Sequence, residues 1–145
     1  MTDEAQEKPK KKKVMIVIGK RKKAVAKAVV REGTGKITIN KVPLDNIEPR
    51  YRQLRLKEPS IIAGDLAKGV DIEVTVKGGG IWGQADASRT AISNALVLWN
   101  KSESLKNAYL DYDRTLMVAD SRRTEPHKPS RSTAGPRRSK QQSKR

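Results

Sequence analysis

Alternating apolar and polar positions near the start of the chain predict a β-strand over residues 14–31. From Ala24 to Val30, every even position holds a small or β-branched apolar residue. Side chains two residues apart share a face of a strand, so this face is predicted to be buried. The opposite face is predicted to carry the cations at odd positions, which are Arg21, Lys23, Lys27 and Arg31.

Other segments show the same strand-like spacing. The turn at residues 32–35 contains Gly33 and Gly35, which suit a hairpin loop, so residues 36–40 are predicted to return beside the first strand. Residues 70–76 place four β-branched residues on one face. Residues 114–118 are a further candidate strand.

Helical spacing dominates the second half of the chain. Residues 83–101 are predicted to form a long amphipathic helix, because apolar or small residues recur three and four positions apart. Its predicted core stripe consists of Ile81, Ala85, Ser88, Ile92, Ala95, Leu96 and Trp99. A second helix, capped within residues 102–104, is indicated by Leu105, Ala108, Tyr109 and Tyr112. Upstream, residues 42–59 are predicted to be a partly helical connection and residues 61–68 a short helix.

These elements predict one α+β domain over residues 14–119. The 145 residues, 35% of them hydrophobic, supply one small core. Residues 1–13 are polar, end in a run of lysines and are predicted to be a disordered basic extension. Residues 120–145 lack periodicity and contain three prolines, which is typical of an extended tail.

The net charge of +16 is concentrated at the two ends of the predicted domain. Residues 32–120 hold twelve basic and twelve acidic residues, whereas residues 20–31 hold six basic residues and no acid. Residues 121–145 hold nine basic residues and one acid. A neutral body with cationic ends is typical of a protein that binds a polyanion such as RNA or DNA.

Several other functions are excluded by residue types that are missing or badly placed. The chain has no Cys, and its single His127 lies in the predicted tail, which excludes thiol chemistry, a triad and a histidine metal cluster. Asp111 and Asp113 are interpreted as a solvated helix end. The early apolar run is too short for a signal peptide or membrane span, and the basic stretches lack an interfacial apolar face. We therefore expect a cytoplasmic protein without catalytic residues, metal, cofactor, small-molecule substrate or membrane partner.

A glycine motif between predicted strand and helix needs separate treatment. Gly78, Gly80 and Gly83 spell G-x-G-x-x-G, the dinucleotide-binding pattern. That interpretation is rejected because no second parallel strand ending in an acid follows. Gly78, Gly79, Gly80 and Gly83 are instead predicted to be structural, and Gly80→Val to lower stability. Free N–H groups at the helix start could still hold a phosphate, including one on RNA.

Segments along the chain, from Gly19 to Arg145, resemble the universal small-subunit ribosomal protein nine family. Gly19-Lys20-Arg21-Lys22-Lys23-Ala24 is similar to its opening, and residues 78–96 look like its glycine-rich central signature. Residues 113–123 resemble the form found in archaea and eukaryotes, and Ser143-Lys144-Arg145 is similar to the family's terminal tripeptide. A DNA-compacting protein and an enzyme using the glycine loop remain the alternatives.

The resemblance implies a four-stranded sheet with two main helices on one face and a left-handed βαβ crossover. It also implies binding to the 3′ major domain of 16S-type rRNA in the head of the small subunit, beside other head proteins. The tail would reach tRNA in the peptidyl site. The residues expected to contact rRNA are Lys20, Arg21, Lys22, Lys23, Lys27, Arg31, Arg89, Arg122, Arg123, Lys128, Arg131, Arg137, Arg138 and Lys140. Those expected to contact tRNA are Ser143, Lys144 and Arg145.

Overall fold

The computed structural model describes residues 13–124 and 126, and these form an α+β domain around one mixed sheet. The five strands are β1 (Val14–Arg21), β2 (Ala24–Glu32), β3 (Ile37–Ile39), β4 (Val42–Pro43) and β5 (Val70–Lys77). Their order in the sheet is β1-β2-β5-β3-β4. The sheet therefore has five strands rather than the expected four, and β4 is only two residues long.

Residues 14–31 form two strands rather than one. The chain reverses at Lys22 and Lys23, and β1 then pairs antiparallel to β2 with Arg21 opposite Ala24. This register places odd positions of β1 on the same face as even positions of β2. The even positions of β2 are buried as predicted, but those of β1 are exposed. Because the turn contains two residues, the alternation of apolar and polar positions continues through it without a break. The sequence pattern therefore gives no sign that the chain reverses there.

The predicted hairpin between the first strand and residues 36–40 is also wrong. β5 lies between β2 and β3, antiparallel to β2 and parallel to β3. The connecting turn is held by Asp71, whose Oδ1 accepts hydrogen bonds from the backbone N–H groups of Thr34 (2.8 Å) and Lys36 (2.9 Å). These hydrogen bonds, that of Lys36 first, lower the pKa of Asp71 below its usual value.

Four helices accompany the sheet within the described residues: α1 (Arg50–Ala63), α2 (Asp65–Lys68), α3 (Ile81–Asn100) and α4 (Glu103–Tyr112). α3 covers one face of the sheet, and α1 packs against α3. The predicted stripe of α3 is buried from Ala85 to Leu96, but Ile81 is exposed. α3 approaches β1 so closely that a Cβ at Gly19 would lie 2.2 Å from the carbonyl oxygen of Ala87. The opposite face of the sheet has no helix on it in the described chain.

The segments around the prolines and after α4 differ from expectation. α1 runs through Pro59, so most of the predicted connection is helical and the helix predicted over residues 61–68 is divided between α1 and α2. The fully buried Tyr109 hydroxyl donates to the Pro59 carbonyl at 2.7 Å, and burial raises the pKa of that hydroxyl. Arg114–Leu116 is a 3₁₀ turn rather than a strand, and the Leu116 side chain is fully buried in the core.

Candidate nucleic-acid interface

The turn between β1 and β2 meets the loop between β5 and α3 at one end of the domain. We call Lys20, Lys22 and Lys23 the lysine turn; all three residues are exposed. Gly78 and Gly79 have φ angles of 80° and 66°, which favour glycine. A Cβ at Gly78 would lie 2.5 Å from the carbonyl oxygen of Lys23. Glycine at this position therefore allows the loop to pack directly against the lysine turn.

The four predicted structural glycines do not have equivalent surroundings. Gly80 has a φ of −99°, and a Cβ added there would meet no atom within 4 Å, so a side chain fits. A Cβ at Gly83 would make ordinary contacts at 3.7 Å to Ala24 and 3.8 Å to Arg21. The expectation that Gly80→Val lowers stability through backbone strain or lost close packing therefore has no basis in this geometry. The constraint falls on Gly78 and Gly79.

A cleft of about 380 Å³ lies where the lysine turn meets the start of α3. Its lining includes Lys22, Lys23, Gly80, Trp82, Gly83 and Thr124. We call it the glycine cleft. Trp82 and Ile81, in the first turn of α3, are both more than half exposed. Sequence reasoning missed Trp82, whose only signal was its position outside the predicted core stripe of α3.

The remaining predicted cations of the hairpin lie on the open face of the sheet. Lys27 and Arg31 are exposed there, on the face opposite α3. In the register of the sheet, Lys20 and Lys77 flank Val25, so the basic surface continues from the lysine turn onto β5. This open-face patch and the glycine cleft adjoin at the lysine turn.

Arg21 does not share that open face, contrary to the prediction from alternating positions. It pairs with Ala24 on the face covered by α3. There its Nε lies 3.6 Å from Asp86 Oδ2, and its guanidinium also contacts Asp120. Asp86 is further held by Arg55, whose Nε donates to Asp86 Oδ1 at 2.7 Å, and this hydrogen bond raises the pKa of Arg55. Arg21 thus belongs to an internal ion-pair network.

Arg89 also belongs to the interior, because only 3% of its surface is exposed. Its Nη2 lies 2.6 Å from Glu58 Oε2 on α1, and its Nη1 lies 2.9 Å from Asp113 Oδ2. Partial burial raises the pKa of Asp113, but hydrogen bonds from Thr115 and Arg89 outweigh burial and lower it overall. Arg89 therefore joins α1, α3 and the segment after α4 through ion pairs within the domain.

The beginning of the predicted tail is fixed next to the lysine turn. Asp120 contacts Arg21 and accepts hydrogen bonds from Arg122, from the backbone N–H at 2.8 Å and from Nε at 2.9 Å. Arg123 Nη1 donates to the Asp120 carbonyl at 2.7 Å. Both arginines are exposed, so the first tail cations extend the basic surface. The other predicted contacts lie outside the described residues: Lys128, Arg131, Arg137, Arg138, Lys140, Ser143, Lys144 and Arg145.

The metal, dinucleotide and membrane alternatives weighed from the sequence are not found among the described residues. Between residues 13 and 124, no three His, Asp or Glu side chains cluster as metal ligands. Asp111 is exposed, whereas Asp113 is occupied by Arg89 and Thr115. The element after α3 is α4, not the parallel strand that a dinucleotide-binding fold requires. No helix in this part of the chain is long and apolar enough to cross a membrane.

Comparison with known proteins agrees with the motifs and the basic surface. The family model described as ribosomal protein S9/S16 matches residues 19–145. The small ribosomal subunit protein uS9 of Methanococcus maripaludis strain C7 is 51% identical over 131 residues, which are 90% of this chain and 98% of that protein. The uS9 protein of Methanococcus vannielii is 50% identical over the same lengths.

The fold, the basic surface and these relatives define a ribosomal protein, a class that is structural rather than enzymatic. The chain belongs to the ribosomal protein S9/S16 family. This membership confirms the resemblance found in the sequence, and the archaeal relatives agree with the archaeal form of residues 113–123. It also confirms the expectation that the chain is not an enzyme.

Proposed function

We propose that the chain is a structural constituent of the small subunit of the cytoplasmic ribosome and binds 16S-type rRNA in the subunit head. The observation that carries the proposal is that the lysine turn and the first tail cations, Arg122 and Arg123, lie close together at one end of a domain of this family. Exposed cations suit phosphate contacts, which position a protein on RNA.

The distribution of ion pairs supports this assignment of charge. The acids nearest the lysine turn, Asp86 and Asp120, are already paired with arginines. The three lysines of the turn have no ion pair within the described residues. Their charge is therefore free to neutralise phosphates, with release of condensed counterions. The open-face cations Lys27 and Arg31 extend the same surface.

Peptidyl-site tRNA is the second partner that we propose, through Ser143, Lys144 and Arg145. The resemblance of these residues to the family's terminal tripeptide supports the assignment. Residues 121–145 could span about 80–90 Å at ~3.3–3.6 Å per residue, so their end can act far from the domain. Cations along the tail would neutralise rRNA phosphates on the way.

Neighbouring head proteins form the third class of partner, and we propose the β1 edge of the sheet for them. Val14, Ile16 and Ile18 are each more than half exposed on β1, which is an edge strand. The opposite edge is the two-residue β4 and contains Pro43, a protected type of edge. Among the described residues, the eight-residue β1 has no comparable protection, and its exposed apolar side chains favour an apolar segment of a neighbouring protein.

The proposal is tested by replacing Lys20, Lys22 and Lys23 together with Gln in a tagged copy. We expect weaker binding to a transcript of the 3′ major domain and less tagged protein sedimenting with small subunits. Each lost phosphate contact should reduce the slope of log K against log salt by roughly 0.7–0.9. Measurements at several salt concentrations therefore give the number of contacts.

The matched control replaces Lys101 and Lys106 with Gln. Both are exposed: Lys101 directly follows α3, whose 20 residues span about 30 Å at 1.5 Å per residue, and Lys106 lies in α4. Equal losses per lysine removed, three in the lysine-turn variant and two in the control, would indicate a nonspecific effect of net charge and contradict the proposed surface. Equal affinity for duplex DNA and rRNA in a competition assay would instead favour the DNA-compacting alternative.

A further inference from the structure

We propose that Trp82 is a stacking platform for an unpaired rRNA nucleotide, whose backbone phosphates are held by Lys22 and Lys23. This inference rests on the proposed rRNA-binding function and adds the kind of RNA element that the glycine cleft takes. The supporting observations are the exposure of Trp82, the shape of the cleft and the charges at its rim.

Trp82 contributes little to the core of the domain. It is 54% exposed, whereas the α3 residues from Ala85 to Val97 that face inward are almost fully buried. Trp99, the other tryptophan, is half-buried, packs against the core and has Lys13 Nζ 4.7 Å from its ring centroid. An exposed indole offers a flat face that stacks on any nucleobase, since every base has a π-face.

The surroundings of Trp82 leave room for a nucleotide. The adjoining Gly79 and Gly80 present bare backbone to the glycine cleft, and no side chain fills the space beyond Gly80. Thr124, near the beginning of the tail, also lines the cleft. A duplex stacks its bases internally, so only a base from a loop, bulge or strand end can enter such a site.

The charge at the rim favours a nucleic acid over an apolar protein segment. Lys22 and Lys23 line the cleft and have no ion pair among the described residues, while the one acid in its lining, Asp86, is paired with Arg21 and Arg55. The cleft therefore combines an aromatic face with unpaired cations. That combination is typical of single-stranded RNA sites.

The test uses full-length protein and a transcript of the 3′ major domain of 16S-type rRNA. Trp82→Leu removes the ring but keeps apolar bulk, and we expect about 5- to 150-fold weaker binding, the usual effect of losing one base–aromatic stack. Trp82→Phe keeps a stacking ring and should bind within about threefold of the parent. The salt slope should be unchanged in both, because no phosphate contact is removed. Thermal unfolding checks that both variants fold.

Fluorescence provides a second readout. In a Trp99→Phe background, Trp82 is the only tryptophan, and its emission should be quenched by a single-stranded oligonucleotide but not by the duplex of the same sequence. Absence of quenching, or equal affinity of Trp82→Leu and the parent for rRNA, overturns the inference. A Trp82 signal that changes only when another ribosomal protein is added assigns the residue to a protein contact and overturns it too.

The two proposals fail in different ways. If the lysine-turn variant loses rRNA affinity while Trp82→Leu does not, the rRNA surface stands and the stacking site is wrong. If neither variant changes rRNA affinity, the proposed rRNA surface itself fails.

Discussion

The arginines of this domain show how one residue type takes two roles. Arg122 and Arg123 keep most of their donors towards solvent, whereas Arg89 is buried between carboxylates. A buried guanidinium is tolerated only with well-placed partners, and removing one partner is costly because a charge is left uncompensated. Glu58 and Asp113 come from separate segments, so Arg89 links those segments to α3.

Asp113→Asn should destabilise the domain by about 1–3 kcal/mol at neutral pH, because Arg89 loses a charged partner. Burial raises the pKa of Asp113, but the hydrogen bonds that it accepts lower it overall. Its contribution is therefore complete above the ordinary carboxyl pKa of about 3.9 and is lost as the pH falls through the lower folded-state value. Urea unfolding should show a difference between variant and parent that narrows below about pH 4.

Asp111→Asn is the control, because Asp111 is exposed two residues earlier. We expect it to change the free energy of unfolding by less than about 0.5 kcal/mol. A difference for Asp113→Asn that persists undiminished in acid would contradict an ionic role for Asp113.

Substitution of Arg21 should mainly affect stability, and substitution of Lys23 should mainly affect RNA binding. The alternating sequence pattern had predicted both residues to lie on the RNA-binding face. Arg21→Gln breaks contacts with Asp86 and Asp120, so it should lower the free energy of unfolding by about 1 kcal/mol. It should leave the salt slope of rRNA binding nearly unchanged. Lys23→Gln should change stability by less than about 0.5 kcal/mol and reduce that slope by roughly 0.7–0.9. Similar slopes for the two variants would show that Arg21 also contacts phosphate.

At the scale of elements, the loop from β5 to α3 determines where the lysine turn lies. Gly78→Ala should destabilise the domain by at least about 1–2 kcal/mol, because a left-handed φ and a collision with the Lys23 carbonyl are combined. Gly80→Ala, with an ordinary φ and open space, should be nearly neutral. Thermal unfolding of both variants measures the difference, and equal effects would disprove the close approach of the loop to the turn.

Elements set by local periodicity were predictable from the sequence. The four buried β-branched residues of β5, the buried even positions of β2 and most of the α3 stripe follow from spacing alone. The helix cap predicted within residues 102–104 is confirmed as Ser102, whose Oγ accepts the Leu105 N–H. Each of these features depends on residues that are close in sequence.

Elements set by distant contacts were not predictable. The β1–β2 reversal keeps the apolar alternation unbroken, and β5, which pairs with β3, is more than thirty residues downstream. In the sequence, Pro59 predicts the end of a helix. In the structure it lies inside α1, where its ring is buried and its carbonyl accepts a hydrogen bond from the Tyr109 hydroxyl. The ion-pair partners of Arg21 and Arg89 were not predicted either, because they are distant in sequence. The left-handed crossover implied by the resemblance stays a prediction.

For the whole molecule, the ion-pair network gives the tail a fixed origin. Asp120 connects Arg21 on β1 with Arg122, so the chain leaves the domain beside the glycine cleft. The described start of the tail therefore lies next to the rRNA-binding surface that we propose for the domain. Seven of the nine tail cations precede the terminal tripeptide. Binding of the tail to rRNA should therefore not depend on the tripeptide.

Deleting residues 143–145 should leave subunit assembly near normal and weaken tRNA binding in the peptidyl site. Arg145 offers a guanidinium fork suited to phosphate, and the seven preceding tail cations remain to hold rRNA: Arg122, Arg123, Lys128, Arg131, Arg137, Arg138 and Lys140. Deleting everything after Asp120 should harm both assembly and tRNA binding, because those cations are lost as well. Assembled subunits carrying each truncation would be titrated with tRNA at several salt concentrations. Unchanged tRNA affinity after the three-residue deletion would leave the tail as an rRNA-binding segment alone.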